Sequence, residues 1–188
     1  MRKLTLFAAP LVLIVCLNAP SVTVSQTQSP LGRIKDGIGL GEVLIGVSNA
    51  ADVESRYGMK YQLINKNDYS YRMDYADLGL AFYYCLKDEK KRIFLVELHQ
   101  GVSSKGITVG QSTLRDVFRL YGEQSIGEDH SDIFEYKGIQ FYLEHDPSTG
   151  AKDSAAKLDK KVVEIDVVPP DTSSNFCDCS PLFLQGLK

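Results

Sequence analysis

The sequence predicts an α+β chain of two tandem units, each a short helix region packed on an antiparallel sheet. Three observations carry this. First, Gly46 to Gly58 (G-V-S-N-A-A-D-V-E-S-R-Y-G) recurs as Gly110 to Gly122 (G-Q-S-T-L-R-D-V-F-R-L-Y-G), with Gly, Ser, Asp, Val, Tyr and Gly each sixty-four residues apart. A fixed-offset match marks a duplicated structural unit. Second, the segments that follow are also echoed. Gly79-Leu80-Ala81-Phe82-Tyr83 returns as Gly138-Ile139-Gln140-Phe141-Tyr142, and Phe94 to Leu98 returns as Val163 to Val167. Third, short charged hairpins join these runs, and only antiparallel strands can be joined so briefly. The units span 34–102 and 103–170, behind a leader over 1–25 and ahead of a C-terminal segment over 171–188.

The leader opens on Met1-Arg2-Lys3 and continues apolar from Leu4 to Leu17, the pattern of a secretory signal peptide. Small residues at Thr23 and Ser25 place cleavage after Ser25, with Ser21 as a second position. Cys16 raises a lipoprotein reading, but Val15 stands where a small residue is wanted. No other stretch approaches a membrane-spanning length, so the mature chain is expected to have no integral membrane segment and to lie outside the cytoplasm, secreted or periplasmic.

In chain order, Gln26 to Arg33 is a polar lead-in, and Ile34 to Ile45 a Gly-rich loop feeding a short strand through Val43 and Ile45. The two helices are expected to start at the N-caps Asn49 and Thr113, with Asp52 and Asp116 three residues on as a capping box. Ser48 and Ser112 are rival caps. Leu114, Val117, Phe118 and Tyr121 line one helix face in the second copy; Ala50, Val53 and Tyr57 form a thinner stripe in the first. Gly58 and Gly122 fit left-handed helix stops. Gly58 to Asn67 reads as a turn and possible strand, Tyr69 to Tyr75 and Gly79 to Leu86 as strands, and Lys87 to Arg92 as a charged hairpin returning through Ile93 to Leu98. In the second unit, Asp146 to Lys161 reads as an exposed loop, and Pro169 to Ser174 as a linker.

Strand alternation assigns the two sheet faces. The inner, helix-facing set is Leu80, Phe82, Tyr84, Phe94, Val96 and Leu98 in the first unit, and Ile139, Phe141, Leu143, Val163, Ile165 and Val167 in the second. The second unit's outer face, with Gln140, Tyr142, Glu144, Glu164 and Asp166, reads as solvated and acidic. The first unit's outer face holds Ala81, Tyr83, Cys85, Ile93 and Leu95. These five are the candidate binding surface, because an apolar second face must be covered by something. One cover is the segment from Asn175 to Lys188, with Phe176, Leu182, Phe183 and Leu184; the other is a protein partner. Cys85, Cys177 and Cys179 remain after cleavage; a bond from Cys85 to either tail cysteine is the candidate disulfide, with about 4 kcal/mol expected from closing so long a loop, and the alternative is three free thiols.

Chemistry-bearing patterns are mostly excluded by their own spacing. Gly41 to Ser48 resembles a phosphate-binding loop, but Val47 occupies the lysine position. Gly37, Gly39 and Gly41 lack the third glycine of a dinucleotide loop. G-V-S-N-A lacks the second glycine of a nucleophile elbow. His99, His130 and His145 show no zinc-protease spacing, and the acidic run around His130 has no calcium-loop spacing. Cys177-Asp178-Cys179 is at most half a metal set. No catalytic, cofactor-binding or metal residue is assigned. A net charge of −3 with no concentrated basic face argues against nucleic acid.

The order of strand, G-x-S/T, helix with Val, apolar residue, Gly and then antiparallel strands resembles the β-lactamase-inhibitor-protein-like fold over nearly the whole mature chain. Single units of this kind occur in outer-membrane lipoproteins of the SmpA/OmlA type. The resemblance implies fold and compartment, with no contact residues carried over. Together these readings predict an exported non-enzymatic binding or scaffold protein with a protein partner. The alternative is a secreted hydrolase whose His and carboxylate are brought together by folding.

Overall fold

The two helices begin where a side chain can hold the first free amides. The computed structural model describes residues 31–67, 69–124, 132–145 and 154–170. The expected leader with Cys16, the run at His130, and the C-terminal segment with Cys177 and Cys179 lie outside the described residues. In chain order the elements are β1 (Ile34–Lys35), β2 (Gly39–Leu40), β3 (Val43–Leu44), α1 (Ala50–Tyr57), β4 (Gln62–Asn67), β5 (Ser70–Tyr75), a 3₁₀ turn (Ala76–Leu78), β6 (Leu80–Cys85) and β7 (Ile93–Leu98). There follow α2 (Leu114–Tyr121), β8 (Ile133–Tyr136), β9 (Ile139–Leu143), α3 (Ser154–Leu158) and β10 (Val162–Val167). Among the described residues, no helix is long and apolar enough to cross a membrane.

At α1, Asn49 Oδ1 accepts the N–H groups of Ala51 (2.8 Å) and Asp52 (3.2 Å), and the Asn49 N–H donates to Asp52 Oδ2 (2.8 Å). At α2, the Thr113 N–H donates to Asp116 Oδ2 at 3.0 Å. The rival caps do a different job. Ser48 Oγ accepts the Leu44 N–H (2.9 Å) and Ser112 Oγ the Thr108 N–H (3.0 Å), closing the turn that delivers each helix. Gly58 and Gly122 end the helices at φ 84° and 103°, but with ψ of −179° and 150°. These are extended glycine conformations, not the left-handed stop expected from the sequence.

The strands form one antiparallel sheet of seven in the order β4-β5-β6-β7-β10-β9-β8. The last strand of each unit therefore meets the other at the centre, with Ile165 opposite Leu98, Asp166 opposite Glu97 and Val167 opposite Val96. The Gly-rich lead-in, expected to be loop with one strand, folds instead as a small three-stranded sheet, β1-β2-β3. The expected exposed loop over Asp146 to Lys161 contains α3.

Both repeats latch their helix-delivering turn onto a strand through the same bonds. The Gly46 N–H donates to Ile93 O (2.7 Å), Ile93 N–H to Ser48 O (2.8 Å) and Ala50 N–H to Lys91 O (3.2 Å). In the second copy the Gly110 N–H donates to Val162 O (2.7 Å), Val162 N–H to Ser112 O (2.9 Å) and Leu114 N–H to Lys160 O (3.0 Å). Val53 and Val117 are both wholly buried in the core these latches close. Each repeat contributes a matched aromatic set to this core. Tyr57 and Tyr75 flank Phe82 with ring centroids 5.2 and 6.0 Å away; Tyr121 and Tyr136 flank Phe141 at 4.9 and 6.0 Å. The Tyr75 and Tyr136 hydroxyls donate to the carbonyls of Gly58 (2.8 Å) and Gly122 (2.7 Å), tying strand to helix end.

The latch has a cost in register. The pairing slips between Tyr83 and Tyr84 opposite β7, and between Val162 and Glu164 in β10. Because strand side chains alternate, one extra residue exchanges the faces on either side of it. Ile93 and Val162 consequently point into the helix-side core, both wholly buried. Phe94 turns to the outer face and packs with Ala81, Tyr83 and Cys85, while Val163 is 40% exposed. This reverses the assignments expected for Ile93, Phe94 and Val163.

Two tests follow from these contacts. Gly138 has φ 82°, and a Cβ there would lie 2.4 Å from Gly37 Cα; Gly122 has φ 103° but open space around it. Gly138→Ala is expected to cost about 2–4 kcal/mol, from strain plus backbone collision. Gly122→Ala is expected to cost about 1–2 kcal/mol, from strain alone. Urea denaturation of both variants checks the order. In the β6–β7 hairpin, Asp88 Oδ2 accepts from Arg92 N (3.0 Å) and Arg92 Nε (2.9 Å). Burial pushes its carboxyl up, but the Arg92 guanidinium and the hairpin amides outweigh it and hold the pKa below the usual value. Its stabilisation is therefore complete above the unfolded pKa and lost as pH falls through the lower folded one. Asp88→Asn should lose about 1–3 kcal/mol at pH 7, with the gap to wild type closing towards pH 2.

Candidate functional site

The face of the sheet away from the helices carries a polar row that crosses the seam. Reading along the register, Asp74 lies beside Ala81, Ala81 beside Glu97, Glu97 beside Asp166, Asp166 beside Gln140 and Gln140 beside Glu135. This face was expected to be solvated in the second unit. At the seam it is not: Asp166 is 4% and Gln140 7% exposed, with Glu97 of the first unit beside them at 8%, while Tyr142 and Glu164 are half-buried and Glu144 is exposed. A neighbouring apolar patch, Ala81, Tyr83, Cys85, Phe94 and Val168 with Leu95 against it, continues the same face. The expected binding surface thus comes together for Ala81, Tyr83, Cys85 and Leu95, and loses Ile93 to the core. Cys85 is buried within this patch, and Cys177 and Cys179 lie outside the described residues.

Glu97 is the hub. Its Oε1 lies 2.7 Å from an Arg72 guanidinium nitrogen and 2.9 Å from His99 Nε2, and its Oε2 accepts the Tyr83 hydroxyl. Arg72 also reaches Asp74 Oδ1 at 3.1 Å. On the other side of the seam, His99 Nδ1 lies 3.4 Å from Glu164 Oε2. Asp166 Oδ1 is buried with no hydrogen-bond partner. The site therefore gathers three carboxylates, Glu97, Glu164 and Asp166, around one guanidinium and one imidazole.

The electrostatics follow from that count. Burial, then the charges of Glu164 and Glu97, raise the Asp166 pKa well above the ordinary carboxylate value. Glu164 is raised as well, by burial first and Glu97 second, with His99 and Arg72 pulling the other way. Burial pushes the Tyr83 and Tyr142 hydroxyls up, and the adjacent carboxylates add to it, so both stay protonated donors.

A separate depression lies at the β8–β9 turn, lined by Gln124, Glu135, Lys137, Gln140 and Pro170. Its polar groups satisfy one another: Gln124 Nε2 donates to Glu135 O (2.6 Å) and Gln140 Nε2 to Glu135 Oε1 (3.0 Å). His145 lies on the surface with Nδ1 3.1 Å from Asp132 Oδ2. Neither place converges on a common point as the seam does.

The seam cluster went unassigned in the sequence reading, although its trace is there. Glu97 and Asp166 hold the same place in the two repeats, as do Tyr83 and Tyr142. Arg72 has no such echo; it lies on β5, opposite Tyr83.

Removing the one guanidinium should expose the imbalance. Arg72→Gln is expected to lose about 2–4 kcal/mol, since it strands Glu97 without its buried counter-charge. Asp166→Asn should leave stability unchanged or raise it, because it removes a like charge and lets the amide donate. Equal destabilisation by both variants in urea at pH 7.5 would contradict the charge count.

No family model and no curated protein matches this chain. Two solved structures are similar to it. One is a DUF4309 family protein, YjgB, from Bacillus subtilis, with TM-score 0.43 and 8% identity, covering 71% of this chain and 88% of that one. The other is the uncharacterized protein yfeY from Escherichia coli, with TM-score 0.41 and 12% identity, covering 72% of this chain and 99% of that one.

Proposed function

We propose that this chain is an exported, non-enzymatic binding module that meets a protein partner through the outer face of its sheet. The carrying observation is the state of His99. Both of its ring nitrogens face carboxylates, Glu97 at 2.9 Å and Glu164 at 3.4 Å. A general base needs one nitrogen free for a nucleophile's proton. His99 is committed to the cluster instead, which argues against the hydrolase reading. The outer face also offers apolar side chains at its margin, Val163 at 40% and Ile133 at 41% exposure, of the kind a partner can cover.

Export through the leader over 1–25 places the module in the periplasm or outside the cell, where a disulfide is stable. We further propose that Cys85 pairs with Cys177 or Cys179, and that the segment from Asn175 covers the apolar patch around Tyr83 and Phe94. The partner then meets the remaining part of the face, near Val163 and Ile133.

The test uses the mature, oxidised chain, with cross-linking in its own cell envelope and mass spectrometry of the products. One defined protein should be recovered with wild type and with Arg115→Glu, a helix-side control 61% exposed at its side chain. Recovery should fall about tenfold or more with Val163→Glu and Ile133→Glu, since a charge buried in an interface without a partner costs over 1.4 kcal/mol. Equal recovery from all four proteins would reject this face as the binding surface. His99-dependent turnover of an ester, peptide or glycoside would reject the non-enzymatic reading. Non-reducing peptide mapping identifies the Cys85 partner: a pairing with neither tail cysteine would refute the covering segment.

A further inference from the structure

The seam cluster contains two local contradictions with a shared remedy. Glu97 Oε1 accepts from the Arg72 guanidinium at 2.7 Å, so the His99 nitrogen 2.9 Å from the same oxygen must donate to it. In neutral His99 the other nitrogen, Nδ1, is then a bare lone pair. It faces Glu164 Oε2 at 3.4 Å, an acceptor against an acceptor. The second contradiction is Asp166. At 4% exposure it keeps one carboxylate oxygen without any partner. Buried polar atoms in native proteins are satisfied, and an orphan calls for an ion or water.

The four groups are arranged as two rungs across one seam. Glu97 is directly opposite Asp166. His99 follows Glu97 by two residues and Glu164 precedes Asp166 by two, so alternation puts all four on the outer face. Ligating atoms of Glu97, His99 and Glu164 already lie within 4.8 Å of one another. Ligand atoms about 2.1 Å from a tetrahedral ion are about 3.4 Å apart. Drawing in the widest pair takes up to about 0.7 Å from each side chain, and His99, with its side chain 46% exposed, has room to move.

We propose that Glu97, His99 and Glu164 bind one divalent transition-metal ion, with the orphan oxygen of the neighbouring Asp166, outside that 4.8 Å set, turning in as a fourth ligand. One imidazole nitrogen among carboxylate oxygens selects the zinc, manganese and ferrous class. Calcium prefers an all-oxygen shell, and cuprous ion prefers thiolates and thioethers. Arg72 and the Tyr83 hydroxyl brace Glu97 from behind, the kind of outer support that fixes ligand orientation in metal sites. The ion brings positive charge to the carboxylates, separates His99 from Glu164 and gives the Asp166 oxygen a partner. It also ties β7 to β10 on the solvent side of the sheet. The proposal stands whether or not the outer face binds a protein.

The test is calorimetric titration of Zn²⁺ into the mature, oxidised, chelator-treated protein at pH 7.5. One saturable site is expected, together with a rise in Tm on adding the ion. His99→Gln and Asp166→Asn should each weaken binding about tenfold or more, and circular dichroism confirms that both variants fold. Absence of a one-to-one site would overturn the proposal. Undiminished binding in both variants would overturn it too, by placing the ion elsewhere.

Discussion

The pairing of β7 with β10 is the constraint on which the rest of the molecule depends. A helix region on three or four strands leaves one long strand edge open, and an open edge with apolar neighbours is an aggregation hazard. Here the last strand of each repeat covers the other, with Leu98, Glu97 and Val96 set against Ile165, Asp166 and Val167. The antiparallel join relates the repeats by an approximate two-fold axis through the seam. Both helices thus fall on one face and share one core, in which Val53, Leu114, Val117, Leu98 and Ile165 are all buried. The opposite face then necessarily juxtaposes whatever the two repeats carry at equivalent outward positions.

What they carry is acid against acid. A duplicated strand with an outward carboxylate next to its own copy creates a buried like-charge pair, here Glu97 and Asp166. Such a pair cannot rest as two free carboxylates. The first unit answers with Arg72 from β5 and Tyr83 from β6, both on Glu97. The second unit has Tyr142 near Asp166 but no second guanidinium in the contacts of that residue. The asymmetry between two otherwise matched halves is thus concentrated in one place. It separates the repeats' shared architecture from what this chain does with it.

Much of the frame was legible in the sequence because it rests on local chemistry. Asn49 with Asp52 and Thr113 with Asp116 declare helix starts through short-range hydrogen bonds. Gly79-Leu80-Ala81-Phe82-Tyr83 and its echo declare a strand pair through alternation. The faces of β7 and β10 were not legible, because the turns at Gly46 and Gly110 take their hydrogen bonds from Ile93 and Val162 and displace the pleat there. Nothing in I-F-L-V-E-L or V-V-E-I-D-V reports that slip. The cluster was hidden for a related reason: charged residues alternating along a strand ordinarily read as a solvated face, and the seam that buries them lies between residues nearly seventy apart in sequence. The small sheet at Ile34 to Leu44 was obscured by glycines, which weaken strand patterning although Gly39 sits in one of its strands.

The central claim is that the two repeats are one cooperative sheet closed at this seam. Native-state hydrogen exchange in increasing denaturant measures it directly. The slowest amides of Val96 and Leu98 on one side, and of Ile165 and Val167 on the other, should exchange with the same opening free energy and the same denaturant dependence. That free energy should equal the global stability. Two distinct opening free energies, one for the strands from Gln62 to Leu98 and another for those from Ile133 to Val167, would show that the repeats open independently and that the seam does not hold them as one.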